Sequence, residues 1–121
     1  MSYTFANLQG VTSLDVSNFN VENVILTNQM FFHCTELLSI NLKNFNPKNC
    51  INFNSMFSYC NNLKALDLSY FNTSKATSIS SMFEYYISLE TLDISSFDPS
   101  QVTDMSIFIL YKIKKFEFKE F

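Results

Sequence analysis

The sequence predicts an α/β repeat solenoid of about four 26-residue coils, with a parallel β-sheet on one face and short helical turns on the other. The first observation is a phrase that returns at a fixed spacing, as LDVSNFNVE, INLKNFNPK, LDLSYFNTS and LDISSFDPS. The second is that the spaced apolar residues in each phrase predict a strand. The third is a spacing of three to four between later apolar residues, which favours helical turns. A fixed period in this range is typical of stacked repeat arrays.

Apolar residues occupy the same positions in every unit. The columns are Val11/Leu37/Leu63/Leu89, Leu14/Ile40/Leu66/Leu92, Val16/Leu42/Leu68/Ile94, Phe19/Phe45/Phe71/Phe97, Val24/Cys50/Ala76/Val102, Met30/Met56/Met82/Phe108 and Phe31/Phe57/Phe83/Ile109. A single unit offers too few core side chains to fold alone. We therefore expect neighbouring units to stack and to bury one another's faces.

Each unit divides into a strand, a turn and a predicted helical piece. The pattern LxxLDL predicts a short strand with its spaced Leu side chains facing inward. Asn46-Pro47 and Asp98-Pro99 fit a turn with proline at its first position. The helical piece is predicted from the three-to-four spacing of residues that follow. These are residues 24, 27, 30, 31 and 34, and their equivalents 50, 53, 56, 57 and 60.

The length of 121 residues fits one domain. Residues 1–10 are predicted to be a lead-in, and residues 11–121 a single repeat domain. Its predicted parts are the coils 11–36, 37–62, 63–88 and 89–112 and a capping strand at 113–121. The tail KIKKFEFKEF alternates apolar residues with Lys and Glu, and a charged edge strand resists pairing with another chain.

Composition excludes several classes of function. The net charge is −3, all eight cations are Lys, and Arg is absent, so we expect no nucleic-acid binding. No stretch is long and apolar enough to insert in a membrane. The start, MSYTFANLQG, lacks the basic head and apolar run of a secretory signal.

Catalysis, cofactors and metal binding are not expected either. The chain has one Gly and one His, and it contains no nucleophile elbow or phosphate loop. His33, Cys34, Cys50 and Cys60 show no CxxC or HxxxH pairing, so a zinc set is not predicted. Cys34 and Cys60 are column mates within reach of a disulfide, although the simpler interpretation is two small buried residues.

A polar column marks the bend after each strand. Its members are Asn20, Asn46, Asn72 and Asp98. We interpret it as a structural ladder whose side chains satisfy backbone groups of the neighbouring coil.

The exposed strand positions offer candidate ligand-binding residues. Asp67 and Asp93 are predicted neighbours, and like charges opposite each other are unfavourable. Either nearby lysines such as Lys43 relieve them, or a cation or basic partner does. Tyr70 lies beside them and could anchor a partner.

A second stripe repeats at the same spacing as His33, Tyr59, Tyr85 and Tyr111. These aromatic side chains either pack edge to edge and shield the core or form a binding ridge. Tyrosine suits a ridge because it offers a large contact area at low entropic cost.

The pattern LxxLDLSxFN followed by MFxxCxxL resembles the 26-residue repeat of BspA-like leucine-rich repeat surface proteins, also known as DUF285 or Mycoplasma-type lipoprotein repeats. The best matches are Leu63 to Phe83 and Leu37 to Cys60, and the resemblance covers residues 11 to about 109. It implies an LRR-like solenoid, a cell-surface or extracellular location, and a role in adhesion or protein binding.

We therefore expect a non-catalytic module that presents a rigid face to a protein or glycan ligand. The alternative is a structural subunit of a larger assembly, joined through its open solenoid end or through the aromatic stripe. Phe5 and Leu8 alone are available to cover the first coil, so self-association through the N-terminal edge is a further prediction.

Overall fold

The structure, a computed structural model, describes residues 1–106 and 115–118. It contains five short strands, β1 (Ser13–Asp15), β2 (Ser39–Asn41), β3 (Ala65–Asp67), β4 (Thr91–Ile94) and β5 (Lys115–Phe118). All strand pairs are parallel, and they form two small sheets, β1-β2 and β3-β4-β5. The strands lie where the LxxLDL pattern predicts them.

The register of the strands follows the sequence repeat. Leu14 pairs with Ile40 and Leu66 pairs with Leu92, each with its equivalent in the next repeat. The last pair joins Leu92 to Phe116, because the final unit is shorter than the others by two residues. The β2 and β3 strands belong to different sheets, so the sheet is interrupted between the second and third repeats.

The predicted α/β solenoid with helical turns is wrong. The described residues contain no helix, and the strands form two small sheets instead of one continuous sheet. The segment expected to be helical has positive φ at Gln29 (56°) and His33 (58°), and its equivalents do the same. A right-handed helix requires negative φ at every residue, so these positions end any helix before its second turn.

The turn side, defined as residues 27–34, 53–60 and 79–86, is instead a series of tight turns joined to the next repeat. The N–H of Met30 donates to the C=O of Thr27 at 3.0 Å, which closes a turn with Gln29 at its third position. The intervening N–H of Phe31 donates to the C=O of Met56 in the next repeat at 2.9 Å. Backbone groups that a helix would use internally are therefore shared between repeats.

This arrangement continues along the turn side. The donor–acceptor pairs from the first segment to the next repeat are Thr27–Asn52, Gln29–Asn54, Phe31–Met56 and His33–Ser58. Those from the second segment to the next repeat are Phe53–Ser78, Ser55–Ser80, Phe57–Met82 and Tyr59–Glu84. Parallel bridges link Leu26, Asn52, Ser78 and Asp104 in one further column. The lead-in joins the same ladder, since the N–H of Phe5 donates to the C=O of Met30 at 2.9 Å.

The core lies between the strands and the turn side. Phe31, Phe57 and Phe83 are fully buried, and the ring of Phe31 stacks on that of Phe57 with centroids 5.2 Å apart. Leu66 and Leu92 close the core from the strand face. The apolar columns of the sequence are therefore core columns in the second and third repeats.

Several sequence predictions lie outside the described residues. They concern Tyr111, the column members Phe108 and Ile109, and the capping strand beyond the limits of β5.

Candidate binding surfaces

The aromatic ridge, defined as His33, Tyr59 and Tyr85, runs along the end of the turn side. The Tyr59 and Tyr85 rings stack with centroids 4.4 Å apart and planes 21° from parallel. His33 meets Tyr59 edge-on at 5.7 Å. Tyr85 is 50% exposed, His33 is exposed and Tyr59 is half-buried, so the rings form a surface and not a part of the core.

All three ridge residues have positive φ, at 58° for His33, 63° for Tyr59 and 59° for Tyr85. Left-handed backbone costs a side-chain-bearing residue about 1–2 kcal/mol relative to the right-handed form. Glycine and asparagine tolerate it best, and Asn7 fills the equivalent position of the lead-in, with φ of 57°. The ridge therefore carries aromatic residues at positions where the backbone disfavours them.

An aromatic residue and an acidic residue both lie near Tyr59 of the ridge. The Phe32 ring packs edge-on against Tyr59 at 5.5 Å. Partial desolvation raises the pKa of the Tyr59 hydroxyl, and its hydrogen bond to Tyr85 and the negative charge of Glu84 add to the effect. The Tyr59 hydroxyl is therefore a neutral donor and acceptor around neutral pH.

The strand-face candidates are only partly brought together. Asp67 and Asp93 pair across β3 and β4, as the repeat predicts. The Asp67 carboxylate accepts the N–H of Ser69 at 2.9 Å and its hydroxyl at 2.5 Å, while Asp93 accepts the N–H of Ser95 at 2.9 Å. Lys43 follows β2, in the other sheet. The carboxylates thus stabilise the turn after each strand while remaining partly accessible.

The same turn geometry occurs in the first repeat. Asp15 accepts the hydroxyl and the N–H of Ser17, and it also accepts the side-chain amide of Asn41 at 3.2 Å. These hydrogen bonds, with the Ser17 hydroxyl the largest contribution, lower the pKa of Asp15 below its usual range.

Tyr70 lies at the rim of a shallow depression beside the strand ends. Its volume is about 430 Å³, and polar side chains line most of it, among them Asn72, Ser96 and Asp98. Tyr70 is 40% exposed. It lies after the strand, whereas the ridge closes the turn segment before the next strand, so these aromatic candidates occupy separate parts of the repeat.

The predicted polar ladder makes two kinds of hydrogen bond. Asn46 accepts the N–H of Asn72 in the next repeat at 2.9 Å. Asn20, Asn72 and Asp98 instead accept the N–H two residues ahead in their own repeat, at 2.9–3.0 Å. Sequence reasoning expected only the first kind, although Asx turns are common at such bends.

Sequence reasoning also missed the left-handed backbone beneath the ridge and the contribution of Phe32. The signal for the first was Asn7, because asparagine is enriched at positive φ and shares the column of His33. Phe32 gave no periodic signal, since Ser58 and Glu84 are its equivalents in the later repeats.

The three cysteines are buried, and none of them forms a disulfide. The Cys34 thiol donates to the C=O of Phe5 at 3.0 Å, and the Cys60 thiol donates to the C=O of Phe31 at 3.2 Å. No cluster of potential metal ligands occurs in residues 1–106 and 115–118. Within the same ranges there is no helix long and apolar enough to cross a membrane.

Comparison with known proteins identifies one family. The model of the family described as "Mycoplasma protein of unknown function, DUF285" matches residues 1–119. Searches of curated proteins and of solved structures found no match. The match covers nearly the whole chain, in agreement with the resemblance carried by the LxxLDLSxFN and MFxxC motifs. The chain belongs to the DUF285 family.

Proposed function

We propose that this chain is a non-catalytic binding module and that the aromatic ridge is its contact surface for a protein or glycan ligand. The observation that carries the proposal is the stack of half-buried Tyr59 on exposed Tyr85, both at residues with positive φ. Both residues have positive φ, so aromatic side chains occupy these positions although the backbone there favours glycine or asparagine.

The chemistry of the ridge favours ligands with flat, weakly polar faces. Stacked phenol rings offer an apolar face to a sugar ring or to an aromatic or proline side chain, and a phenol hydroxyl that already makes one hydrogen bond can accept another. Because the rings of Tyr59 and Tyr85 already stack on each other, little side-chain entropy is lost on binding.

The strand face is the second candidate contact surface. Tyr70 is exposed beside a polar depression, and Asp67 adds a negative charge near the strand end. The Asp67 carboxylate already accepts two hydrogen bonds from Ser69. It therefore stabilises the turn after β3, a role that does not require a ligand.

The test is binding of the purified chain to an array of oligosaccharides and to an array of folded soluble proteins. We expect at least one ligand whose affinity falls tenfold or more in a Tyr59→Ala/Tyr85→Ala variant. The matched control is Asp67→Lys/Tyr70→Ala, which changes the strand face and should bind normally. Loss of binding only in the control variant would move the site to the strand face. Binding unaffected by both variants, or absent from both arrays, would contradict the proposal.

A further inference from the structure

Two of the three cysteines occupy the same position of consecutive repeats. Cys34 and Cys60 are 26 residues apart, and Tyr86 fills the equivalent position of the third repeat. Both cysteine side chains are buried in the core, as is Tyr86. Cys50 lies in a different column of the repeat. The two thiols and the phenol therefore form one column of the core, which we call the thiol column.

The backbone holds Cys34 and Cys60 on neighbouring levels of the turn side. The N–H of His33 donates to the C=O of Ser58 at 2.9 Å, a register that sets each residue beside its equivalent in the next repeat. Neighbouring chains paired in this way lie about 4.8 Å apart. A disulfide requires Cα atoms roughly 4.4–6.8 Å apart, so the spacing between the two levels suits one.

The direction of the Cys60 thiol brings the two sulfur atoms toward each other. This thiol donates to the C=O of Phe31 at 3.2 Å, and Phe31 belongs to the same level as Cys34. The Cys34 thiol donates to the C=O of Phe5 at 3.0 Å. Joining the two sulfurs therefore requires Cys34 to leave this acceptor and turn toward Cys60.

The two thiols differ in their ease of ionisation. The neighbouring Cys60 thiol lowers the pKa of Cys34, because a hydrogen bond from Cys60 stabilises the Cys34 thiolate. The same contact, followed by burial, raises the pKa of Cys60. The thiolate is the form of cysteine that attacks an oxidant, so Cys34 is the residue that reacts first.

The Tyr86 hydroxyl places a further polar group in the thiol column. It is fully buried and has no hydrogen-bond partner of ordinary geometry. A buried hydroxyl in this state is unusual and calls for an explanation. It lies close enough to Cys60 to lower the pKa of that thiol, against the larger effects of Cys34 and burial. The hydroxyl is therefore a donor for a negatively charged sulfur at Cys60.

We infer that Cys34 and Cys60 are a redox-active pair, which hydrogen peroxide converts into a disulfide between the first and second repeats. Peroxide is small enough to reach buried sulfur when the fold opens locally. The inference does not depend on the aromatic ridge being a binding surface.

The oxidation proceeds in two steps that balance. The Cys34 thiolate attacks peroxide, the O–O bond breaks, and Cys34 becomes a sulfenic acid while the released hydroxide takes up a proton to form water. Cys60 then loses its proton, and its sulfur attacks the Cys34 sulfur. The S–S bond forms, the S–O bond breaks, and the departing hydroxide takes up that proton as a second water. Tyr86 acts as a positioning residue by donating to the Cys60 sulfur as it ionises.

Peroxide treatment of the unmodified chain tests the pairing. We expect the intact mass to fall by two hydrogens and one of the three thiols to remain open to alkylation. Cleavage after lysine without reduction should leave peptide 1–43 joined to peptide 49–64, and dithiothreitol should separate them. Three thiols remaining under excess peroxide, or a sulfinic acid at Cys34 without the cross-link, would overturn the inference.

The matched control is Cys50→Ser, because peptide 49–64 contains both Cys50 and Cys60. The Cys50 sulfur lies 3.3 Å from the Thr27 hydroxyl, outside the thiol column. The cross-link should persist in Cys50→Ser and be absent from Cys60→Ser. Loss of the cross-link in Cys50→Ser alone would make Cys50 the partner of Cys34 and overturn the assigned pair.

Trapping of the sulfenic acid with dimedone tests the second step. In Cys60→Ser the Cys34 sulfenic acid has no thiol to attack it, so labelling should rise at least tenfold over the unmodified chain. Tyr86→Phe should keep the cross-link but form it more slowly, with labelling between these two values. Labelling of Tyr86→Phe equal to that of the unmodified chain would overturn the role given to its hydroxyl.

Discussion

The strand side and the turn side of this protein stack the same repeats by different means. On the strand side, three or four residues pair in each strand, and the ladder is interrupted between β2 and β3. On the turn side, backbone hydrogen bonds cross the same junction at Phe53, Ser55, Phe57 and Tyr59. The part of the repeat with no regular secondary structure therefore holds the second and third repeats together.

This difference shows what holds neighbouring repeats together. It is the hydrogen bonding of backbone N–H and C=O groups between repeats, and not the type of secondary structure. A helix satisfies its own N–H and C=O groups and can contact its neighbours only through side chains. A series of turns leaves alternate N–H groups free to pair with the next repeat. Here Phe31 and Phe57 combine both modes, since their rings stack 5.2 Å apart and their N–H groups donate to the following repeat.

The substitution expected to destabilise the turn side most is Ser55→Pro. Proline removes the N–H that donates to the C=O of Ser80 at 2.9 Å, and its fixed negative φ is incompatible with the 53° at this position. We expect a loss of at least about 3 kcal/mol in the free energy of unfolding, measured by urea denaturation.

The control for that experiment is Ser55→Gly, which keeps the N–H and suits positive φ. It should change the free energy of unfolding by less than about 1 kcal/mol. Equal destabilisation by proline and glycine would mean that the Ser55 side chain matters and that the backbone bond does not.

A smaller effect of opposite sign is expected for Ser81→Gly. Ser81 has φ of 54°, so glycine relieves left-handed backbone, although it also increases the entropy of the unfolded chain. We expect a net stabilisation of up to about 1 kcal/mol, read from the thermal midpoint. Gln101→Gly, at an exposed residue without positive φ, should instead destabilise by roughly 0.5–1 kcal/mol. Destabilisation by both substitutions would contradict the strained turn geometry.

The smallest expected effect is a pH-dependent contribution to stability from two carboxylates, one on the strand side and one beside the turn side. Hydrogen bonds lower the pKa of Asp15 on the strand side, mainly from the Ser17 hydroxyl, and that of Asp104 beside the turn side, mainly from the Ser106 N–H. A lowered folded pKa adds stability above the unfolded value of 3.8, and that stability is lost as pH falls through the folded pKa.

Acid titration followed by circular dichroism checks this contribution. Below about pH 4 the unmodified chain should lose stability faster than Asp15→Asn or Asp104→Asn, because the amide does not titrate. Asparagine keeps the acceptor oxygen, as Asn41 shows at the position equivalent to Asp15 by accepting the N–H of Lys43 at 3.1 Å. Identical acid profiles for all three proteins would exclude a role for these carboxylates.

The sequence was sufficient for the strands and the core but not for the turn side. Leu14, Leu66 and Leu92 fall in strands because their alternation and period require it. Residues 27, 30, 31 and 34 have helical spacing, but two successive turns with positive φ place them inward equally well. Apolar periodicity reports which side chains face the core, and it does not report which backbone acceptor each N–H uses.

The candidate site was predictable to a similar extent. The repeat spacing identified His33, Tyr59 and Tyr85 as one stripe, and the rings do meet. The pairing of Asp67 with Asp93 also follows from the period. The hydrogen bonds of their carboxylates to Ser69 and Ser95 are local turn contacts, which the search for binding residues overlooked although Asp is followed by Ser two residues later in three repeats.

The measurement that tests the central claim most directly is NMR detection of scalar couplings through backbone hydrogen bonds. The amide nitrogens of Phe31 and Phe57 should couple to the carbonyl carbons of Met56 and Met82, each in the following repeat. Coupling of each amide to the carbonyl four residues earlier would show a helix at this position and would contradict the account.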